Sequence, residues 1–558
     1  MPRSWFSPVS PPPARAPRPL PDPPPHTPRC EPPSLSPRAA GGDLDAAQLR
    51  RHARAHFNVD VPRPFAVVRL ECRALLDPSR YPVATMALQA LGSVVVAVEA
   101  LGQRVPGLFV DTTGWAFAYP LARLCGARVA CYVHYPAVSA AMAERVASRR
   151  RAYNNPGWVA SSAPATTLKG LYYAGMERWY RSSGRWADCT MANSTWTRGH
   201  VERLWGPGWG VDLVHPPVDA EELGLARRAR DRGRAGGGDP TATVAVAQFR
   251  PEKGHATQLR AFAMALGRWD KLVMLTGEAR ALLEDTGSAA NWGVRPGGLA
   301  RMRGRPRPRL VLVGTCRGRA DRELLARLRD SLAALGVSDA VTVLEGAPWG
   351  TVRDALASAA VGLHAMEEEH FGIGVVECMA AGCVAVAHAS GGPLLDVVVP
   401  AHRPGGHSKP ASGRASPALP GGARAGGGRG GGGAGEGEPG AGDEVGFLCR
   451  EVDEYAEALM AAWTMSAGER AAMVRRAQAR ARRFAPGRFA AAWVEAIAGV
   501  AGGGKGACPV DAEPRWPRSE AGGVLGWAED AWSESPGPSD DSEGEVAGFD
   551  SGGEDKGR

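Results

Sequence analysis

Short apolar runs alternate with helix-like stretches through most of the chain. FAVVRL, GLFVD and RVACYV are typical of strands buried in a sheet, and the segments 83–101 and 114–125 between them have helical spacing. Alternation of this kind predicts a parallel sheet with helices on its faces.

A second series of the same kind begins at Thr241 and continues almost to residue 500. We therefore predict an α/β fold with two doubly wound, Rossmann-like domains that face each other across a cleft. In such sheets ligands bind beyond the carboxyl ends of the strands. The predicted strands are TVAVAQF, RLVLVG, AVTVLE, AVGLHA, CVAVAHA and VGFLCR, and the predicted helices are HATQLRAFAMAL, ADRELLARLRDSLAALG, VRDALASA, GVVECMAA, 452–466, 468–483 and 487–500.

Composition separates these domains from their flanking segments. The 72 glycines and 46 prolines are clustered, which indicates disordered segments rather than an unusual fold. The predicted segments are a disordered Pro/Arg-rich N-terminus and lead-in (1–64), the first domain (65–220), the second domain (221–400), a disordered Gly-rich insertion (401–444), the end of the second domain (445–503) and an acidic disordered tail (504–558).

Two segments raise the question of a membrane. The apolar stretch 83–102 reaches the length of a span only by including Gln89 and Glu99, which favours a buried or membrane-surface helix. The segment 171–186 mixes aromatic residues with arginines, which fits either a helix packed on the sheet or a contact with a membrane interface.

Charge and cysteine usage exclude several classes of function. The net charge of +8 suits phosphorylated ligands, nucleic acid or an anionic membrane, but the chain has no zinc-finger spacing and no RNA-binding signature. We therefore expect no nucleic acid partner. The ten cysteines form no C-x-x-C pair, so we expect neither a zinc site nor a disulfide framework.

The stretch EEEHFGIGVVECMAAG (367–382) carries the most specific chemistry. Glu369 and Glu377 lie on either side of a glycine turn that runs into an apolar helix. Glycines let main-chain amides approach a ligand, and helix N-termini favour anions. The pattern therefore predicts a sugar held beside a phosphate, although a helix start with two solvated acids remains an alternative.

Other predicted strand ends supply further candidates. QFRPEKGH places Arg250 and Lys253 on a proline-fixed turn, where they either neutralise a diphosphate or form a solvated turn. CYVHYP places His134 at a strand end, either as a structural hydrogen-bonding group or as a contact to a transferred sugar. The tight turn HASGGP, which can approach a nucleotide closely, adds Ser390, Gly391 and Gly392.

These blocks carry a family resemblance. HFGIGVVECMAAG preceded by Glu369, together with QFRPEK and SGGP, resembles the retaining nucleotide-sugar-dependent glycosyltransferases of the GT-B class. CYVHYP and DVVVP narrow the resemblance to the GDP-mannose α-1,2-mannosyltransferases of the dolichol pathway, over roughly residues 65–400 and 445–500.

The resemblance implies a retaining transfer of mannose from GDP-mannose to a dolichol-diphosphate oligosaccharide, adding its fourth and fifth mannoses. It also implies that neither a cofactor nor a metal takes part. The expected place is the endoplasmic reticulum membrane on its cytosolic face, with other mannosyltransferases of the pathway as possible partners. The first domain would bind the acceptor and the second the nucleotide sugar.

Residue roles follow from the same resemblance. Glu369 would contact the mannose and Glu377 the ribose of GDP, while His134 would contact the sugar from the first domain. Arg250 and Lys253 would hold the diphosphate. The main chain of the glycine turn would line the phosphate–sugar edge, through Phe371, Gly372, Ile373 and Gly374.

The chain departs from the family pattern at its start. The family begins with a membrane-anchoring helix, a strand and a glycine-rich loop, and residues 1–64 show none of these. The first domain is therefore expected to lack its first strand. An incomplete or mis-spliced gene model would explain this, and so would a degenerate paralogue that binds a GDP-sugar without transferring it. A GT-B transferase with another donor or acceptor is a further alternative.

Overall fold

The computed structural model describes residues 45–57, 67–81, 83–138, 163–206, 208–232, 238–401, 443–501 and 525–526, all within one compact unit, Leu44–Arg558. The predictions for the insertion and the tail fall almost entirely outside these residues, as do those for most of the N-terminus. Within the predicted disordered lead-in, however, the structure has a helix, so that part of the prediction is wrong.

The helices and strands are numbered in chain order. The helices are α1 Ala46–Phe57, α2 Thr85–Gln103, α3 Tyr119–Leu124, α4 Ala163–Gly184, α5 Thr195–Trp205, α6 Ala220–Arg232, α7 His255–Met274, α8 Gly277–Asp285, α9 Gly298–Met302, α10 Arg319–Ala334, α11 Trp349–Ser358, α12 Ile373–Ala380, α13 Val452–Thr464, α14 Ala467–Ala481 and α15 Pro486–Ala501. The strands are β1 Leu108–Asp111, β2 Arg128–Val133, β3 Cys189–Ala192, β4 Asp212–Leu213, β5 Ala242–Val246, β6 Arg309–Gly314, β7 Val341–Glu345, β8 Val361–Leu363, β9 Val384–His388, β10 Gly446–Cys449 and β11 Leu525–Gly526.

The strands form two parallel sheets. The first has the order β11-β1-β2-β3-β4 and the second the order β10-β9-β8-β5-β6-β7. In the second sheet the chain runs outward from β5 to β7 and then returns to β8 on the other side of β5. This reversal is the switch point of a doubly wound sheet, and it confirms the predicted α/β fold.

Burial explains why the strands of the second sheet have continuous apolar sequences. All five residues of β9 are buried, and helices cover both faces of the sheet. One core contains Phe262, Trp269 and Trp463. The indole N–H of Trp463 donates to the Thr243 hydroxyl at 3.1 Å.

The strand predicted at FAVVRL is wrong for the residues that the structure describes. Residues 67–70 have no regular structure, and a 3₁₀ helix, Glu71–Leu76, follows them. The main-chain N–H groups of Glu71 and Cys72 donate to the Glu99 carboxylate of α2 at 2.6 and 2.8 Å. An apolar run becomes a strand only where a neighbouring strand pairs with it. Here the main-chain N–H groups that follow the run pair with a side chain of α2 instead.

The end of the chain returns to the first sheet. Phe489 and Trp493 of α15 pack their rings against Tyr132 of β2, at 6.2 and 5.4 Å. The sequence prediction grouped residues 445–503 with the second domain, whereas the structure places α15 on the first. The amphipathic pattern predicted the helix but did not indicate which sheet it covers.

Direct contacts connect the two sheets. The Thr195 N–H at the start of α5 donates to the Asp396 carboxylate at 2.9 Å, and the Thr195 hydroxyl donates to the same carboxylate at 2.5 Å. These contacts hold the carboxyl ends of the two sheets in one cleft.

Candidate active site

The Glu369 carboxylate lies at the centre of the cleft, in the loop between β8 and α12. Its Oε2 atom accepts hydrogen bonds from Lys253 Nζ and His364 Nε2, both at 2.9 Å. Oε1 accepts no hydrogen bond from the residues that the structure describes. Burial alone would raise the pKa of Glu369, but the hydrogen bond and charge of His364, together with Lys253, hold it well below its usual range. The group is therefore ionised, with one oxygen fixed and the other able to accept a hydroxyl.

Lys253 reaches this carboxylate from the turn after β5. The 3₁₀ helix Pro251–Lys253 ends at Gly254, whose φ of +68° requires a left-handed backbone. A Cβ atom on Gly254 would lie 2.3 Å from the carbonyl oxygen of Ala365, so the turn packs directly on the loop that carries Glu369. The predicted candidates Lys253 and Glu369, 116 positions apart, are thus in contact.

Arg250 starts the same turn but has a different partner. Its guanidinium forms an ion pair with Glu252 at 2.5 Å, and about a third of the side chain is exposed. Its buried Nε atom has no hydrogen-bond partner in the described part of the chain. Because this ion pair is partly exposed, it holds the guanidinium only weakly.

The loop that carries Glu369 packs against the turn formed by Ser390, Gly391 and Gly392. The Ser390 hydroxyl accepts the Glu368 N–H at 2.7 Å, and the Gly392 N–H donates to the Glu369 carbonyl at 2.8 Å. A Cβ atom on Gly391, whose φ is +57°, would lie 2.1 Å from that carbonyl oxygen. The tight turn was predicted to approach a nucleotide; in the structure its contacts are to the loop. They hold Glu368 at a φ of +55°, which is unusual for a residue with a side chain.

The start of α12 lies beside the end of β5. Gly372, with a φ of +99°, precedes the helix, and a Cβ atom on Gly374 would lie 3.2 Å from the Val246 carbonyl oxygen. Phe371 is buried against Phe484 and His215, while Ile373 is 45% exposed. The first main-chain hydrogen bonds of α12 are those of Val375 and Val376 to the Gly372 carbonyl, at 3.0 and 3.2 Å. The amides of Ile373 and Gly374 precede them, so this end of the helix is suited to an anion.

Glu377 lies one helical turn inside α12. Burial raises the pKa of its carboxyl to about 7. Its oxygens have no hydrogen bond to the residues that the structure describes, whereas Glu369 has two. A carboxylate in this environment gains stability when a ligand supplies hydroxyl donors.

The first domain contributes His134, at the end of β2. Its carbonyl accepts the Thr197 hydroxyl at 3.1 Å, and its ring meets Tyr132 edge-on. The pKa of His370 is lowered to about 4, first by burial and then by the charges of Lys253, His134 and Arg250, while Glu369 acts in the opposite direction. His134 of the first domain and Lys253, Arg250 and Glu369 of the second therefore all lie near His370.

Sequence reasoning missed His364, which follows β8 directly and is 7% exposed. It also missed the aromatic contact between Tyr135 and His370, which lie on different domains. His364 could have been found from the same signal that singled out Lys253, namely a polar residue at the carboxyl end of a predicted strand. The contact between Tyr135 and His370 has no local signal.

Two Rossmann-like domains with a glutamate loop and a basic turn at their facing strand ends define a GT-B glycosyltransferase. Residues 39–205 match the family described as "ALG11 mannosyltransferase N-terminus", and residues 299–412 match "Glycosyl transferases group 1". This chain belongs to the family of GDP-mannose-dependent α-1,2-mannosyltransferases that the following relatives represent.

Three curated relatives share the name "GDP-Man:Man(3)GlcNAc(2)-PP-Dol alpha-1,2-mannosyltransferase". The Homo sapiens protein is 31% identical over 459 residues, which are 82% of this chain and 78% of the relative. The Xenopus laevis protein is 36% identical over 365 residues (64% of this chain and 67% of the relative). The Dictyostelium discoideum protein is 35% identical over 347 residues (61% and 62%). Among solved structures, sucrose-phosphate synthase from Thermosynechococcus elongatus aligns over 79% of this chain and 87% of its own, at 14% identity and a TM-score of 0.48.

Proposed function

We propose that the protein is a retaining α-1,2-mannosyltransferase that moves mannose from GDP-mannose to a dolichol-diphosphate oligosaccharide, adding the fourth and fifth mannoses. The observation that carries the proposal is the ionised Glu369, with Oε2 held by Lys253 and His364 and Oε1 left to accept a sugar hydroxyl. Glu369 lies four residues before the start of α12, which supports a sugar bound at Glu369 beside a phosphate at the helix start, as a nucleotide sugar requires.

Leaving-group stabilisation supplies much of the catalysis in this scheme. As the bond from the mannose C1 to the phosphate oxygen breaks, negative charge develops on the diphosphate of GDP. Arg250, Lys253 and the main-chain amides from Phe371 to Gly374 stabilise that charge. The acceptor hydroxyl attacks C1 on the same face that GDP leaves and passes its proton to the departing phosphate oxygen. An α-linked donor therefore gives an α-linked product without a protein nucleophile.

Two further contacts orient the donor. Glu377 accepts the ribose hydroxyls, which offsets the desolvation of a partly buried carboxylate that accepts no hydrogen bond from the residues that the structure describes. His134 contacts the mannose from the first domain, where it follows β2 directly. Ser390, Gly391 and Gly392 act by holding the Glu369 loop in position.

The positive charges of this site take the place that a metal ion has in other transferases. We therefore expect no cofactor, and we expect activity to survive chelation of divalent cations. Loss of activity with a chelator, restored by added magnesium or manganese, would contradict this expectation.

Membrane attachment is proposed through α2 and α4. By length and composition α2 is a helix that could cross a membrane, among the residues that the structure describes. Its polar residues are satisfied on the protein side, since Gln89 donates to the Leu76 carbonyl at 2.6 Å and Glu99 accepts two main-chain N–H groups. Apolar side chains are left exposed on both helices: Leu88, Leu91, Val95 and Val98 on α2, and Leu168 and Leu171 on α4.

A helix buried on one face and apolar on the other suits the surface of a bilayer. We propose the cytosolic face of the endoplasmic reticulum, where other mannosyltransferases of the same pathway are expected partners. In a flotation assay with liposomes, Leu91→Asp combined with Val98→Asp should abolish flotation. Val494→Asp, at a residue of α15 that is 65% exposed, is the matched control and should float like the unchanged protein. Equal flotation of all three proteins would contradict the proposed surface.

The catalytic proposal is tested by a transfer assay. Purified protein is incubated with GDP-mannose and the trimannosyl dolichol-diphosphate acceptor, with Glu369→Gln as the inactive control. We expect two added hexoses, both removed by an α-1,2-mannosidase. Saturable binding of GDP-mannose without any product would instead support a binding paralogue, and transfer from another nucleotide sugar would change the assigned donor.

A further inference from the structure

His364 and Lys253 donate to the same oxygen of Glu369, but they are anchored very differently. The His364 N–H donates to the Val386 carbonyl of β9 at 2.9 Å, and its own carbonyl accepts the Tyr455 hydroxyl at 3.3 Å. Its side chain is 8% exposed. The main chain of His364 is therefore held at the end of the sheet, and its imidazole is almost fully buried.

The main chain of Lys253 is also hydrogen-bonded, through its N–H to the Arg250 carbonyl at 3.1 Å and through its carbonyl to the Gln258 amide at 3.4 Å, so the difference lies in the side chain. The Lys253 ammonium lies at the end of a flexible four-carbon chain, the side chain is 20% exposed, and it comes from a turn. In the proposed function the same ammonium faces a diphosphate with several negative charges. When the donor binds, the phosphates compete with Glu369 for Lys253, whereas His364 keeps its place.

We propose that His364 is a positioning residue, which holds Oε2 of Glu369 so that Oε1 stays directed at the donor sugar throughout the reaction. The Nε2 atom of His364 carries the proton, because the carboxylate oxygen can only accept. This inference rests on the proposed function, since it assigns Glu369 to the sugar of the donor. It predicts that His364 affects recognition of the sugar and turnover, but not binding of the nucleotide.

Three variants separate this role from a purely structural one. His364→Gln places an amide N–H near the position of the imidazole Nε2 and should keep kcat within about fivefold. His364→Asn is equally polar but too short, and His364→Leu has no donor. Both should lower kcat by about ten- to a hundredfold, because small displacements of a positioned group have effects of that size. In all three variants the Kd for GDP, which lacks the sugar, should change by less than about threefold.

Calorimetry with GDP-mannose and with GDP, alongside the transfer assay, decides between the outcomes. Binding of GDP also shows that each variant is folded, and if the leucine variant does not fold, the comparison of glutamine with asparagine remains. The inference is overturned if Asn and Gln have equal activity, or if all variants lose affinity for GDP and GDP-mannose in parallel. If the unchanged protein transfers no mannose, the proposed function fails instead. The ratio of the affinity for GDP-mannose to that for GDP then still tests whether His364 acts on the sugar.

Discussion

The imidazole of His370 lies flat against the phenol ring of Tyr135, with ring centroids 4.3 Å apart and planes within 6°. His370 directly follows Glu369 in the second domain, whereas Tyr135 follows β2 of the first. Trp196 of α5 is nearly parallel to both rings, at 5.5 and 5.4 Å. The aromatic group of Tyr135, Trp196 and His370 therefore connects the two domains next to the carboxylate that is assigned to the sugar.

Removing the Tyr135 ring should loosen this connection. Aromatic pairs of this kind contribute about 0.5–1.5 kcal/mol beyond their buried area. We therefore expect Tyr135→Ala to lower kcat/KM for GDP-mannose by about two- to tenfold. Tyr135→Phe keeps the ring and is the matched control, which should stay near the unchanged protein. If the phenylalanine variant were as impaired as the alanine variant, the hydroxyl rather than the stacked ring would be responsible.

Arg250 and Lys253 should each be needed for turnover. Removing one electrostatic contact to developing charge typically costs about a hundred- to a thousandfold in kcat, and we expect Arg250→Ala and Lys253→Ala to fall in this range. Neither variant should unfold, as measured by thermal melting, since both side chains are partly exposed. Near wild-type turnover in either variant would refute its assigned role.

The ion pair of Arg250 supplies a control for that experiment. Glu252→Ala removes the partner at 2.5 Å but leaves the guanidinium available for a phosphate. It should retain activity within about threefold, because partly exposed ion pairs contribute little. If Glu252→Ala matched Arg250→Ala, the ion pair itself would be the important feature.

Sequence predicted best what depends on short stretches of chain. The strands β5, β6, β8 and β9 and their helices follow from apolar runs that are buried on both faces. The strand-end argument also identified Lys253 and Glu369, because parallel strands bring their carboxyl ends to one edge of the sheet. No knowledge of long-range contacts was needed for either result.

What could not be predicted depends on distant partners. The run at residues 67–70 has strand composition but forms no strand, and the main chain that follows it, at Glu71 and Cys72, pairs with the side chain of Glu99. The turn of Ser390, Gly391 and Gly392 was predicted to approach a nucleotide, whereas the Ser390 hydroxyl is hydrogen-bonded to Glu368 and His388. The approach of Tyr135 to His370 is set by two domains docking together, which leaves no pattern in either local sequence.

Gly391 should tolerate no side chain. Its φ of +57° makes alanine unfavourable, and a Cβ atom would also lie 2.1 Å from the Glu369 carbonyl oxygen. Gly391→Ala should therefore displace the loop and lower activity by about a hundredfold, the scale expected when a positioned group moves by about an ångström. Loss of activity would be measured in the transfer assay and stability by thermal melting.

Gly336 is a matched control for that substitution. Its φ is +68°, but a Cβ atom there would meet nothing within 4 Å. Gly336→Ala should cost about 1–2 kcal/mol of stability, the usual penalty of a left-handed residue, and leave turnover unchanged. Equal loss of activity in both variants would mean that backbone strain alone, and not the contact with the Glu369 loop, explains the effect.

Glu377 should make donor binding depend on pH near neutrality. Burial raises the pKa of its carboxyl from 4.5 to about 7, and only the ionised form can accept both ribose hydroxyls. Affinity for GDP-mannose should therefore weaken as the pH falls below 7 and level off above 8. At pH 6 binding should release close to one proton, whereas His370, with a pKa of about 4, stays neutral throughout this range. Calorimetry in buffers with different ionisation enthalpies measures the proton release, which Glu377→Gln should abolish.

The same group should reduce the stability of the free protein at high pH. Between pH 4.5 and 7 the folded state binds more protons at Glu377 than the unfolded state, so the free energy of unfolding falls as the pH rises through this window. Relative to the unchanged protein, Glu377→Gln should melt at a higher temperature at pH 8 and show no advantage below pH 4.5. Saturating GDP-mannose should reduce that difference, because the ribose hydroxyls stabilise the ionised carboxylate only in the unchanged protein. A variant that melts identically at every pH would show that burial does not penalise this carboxylate.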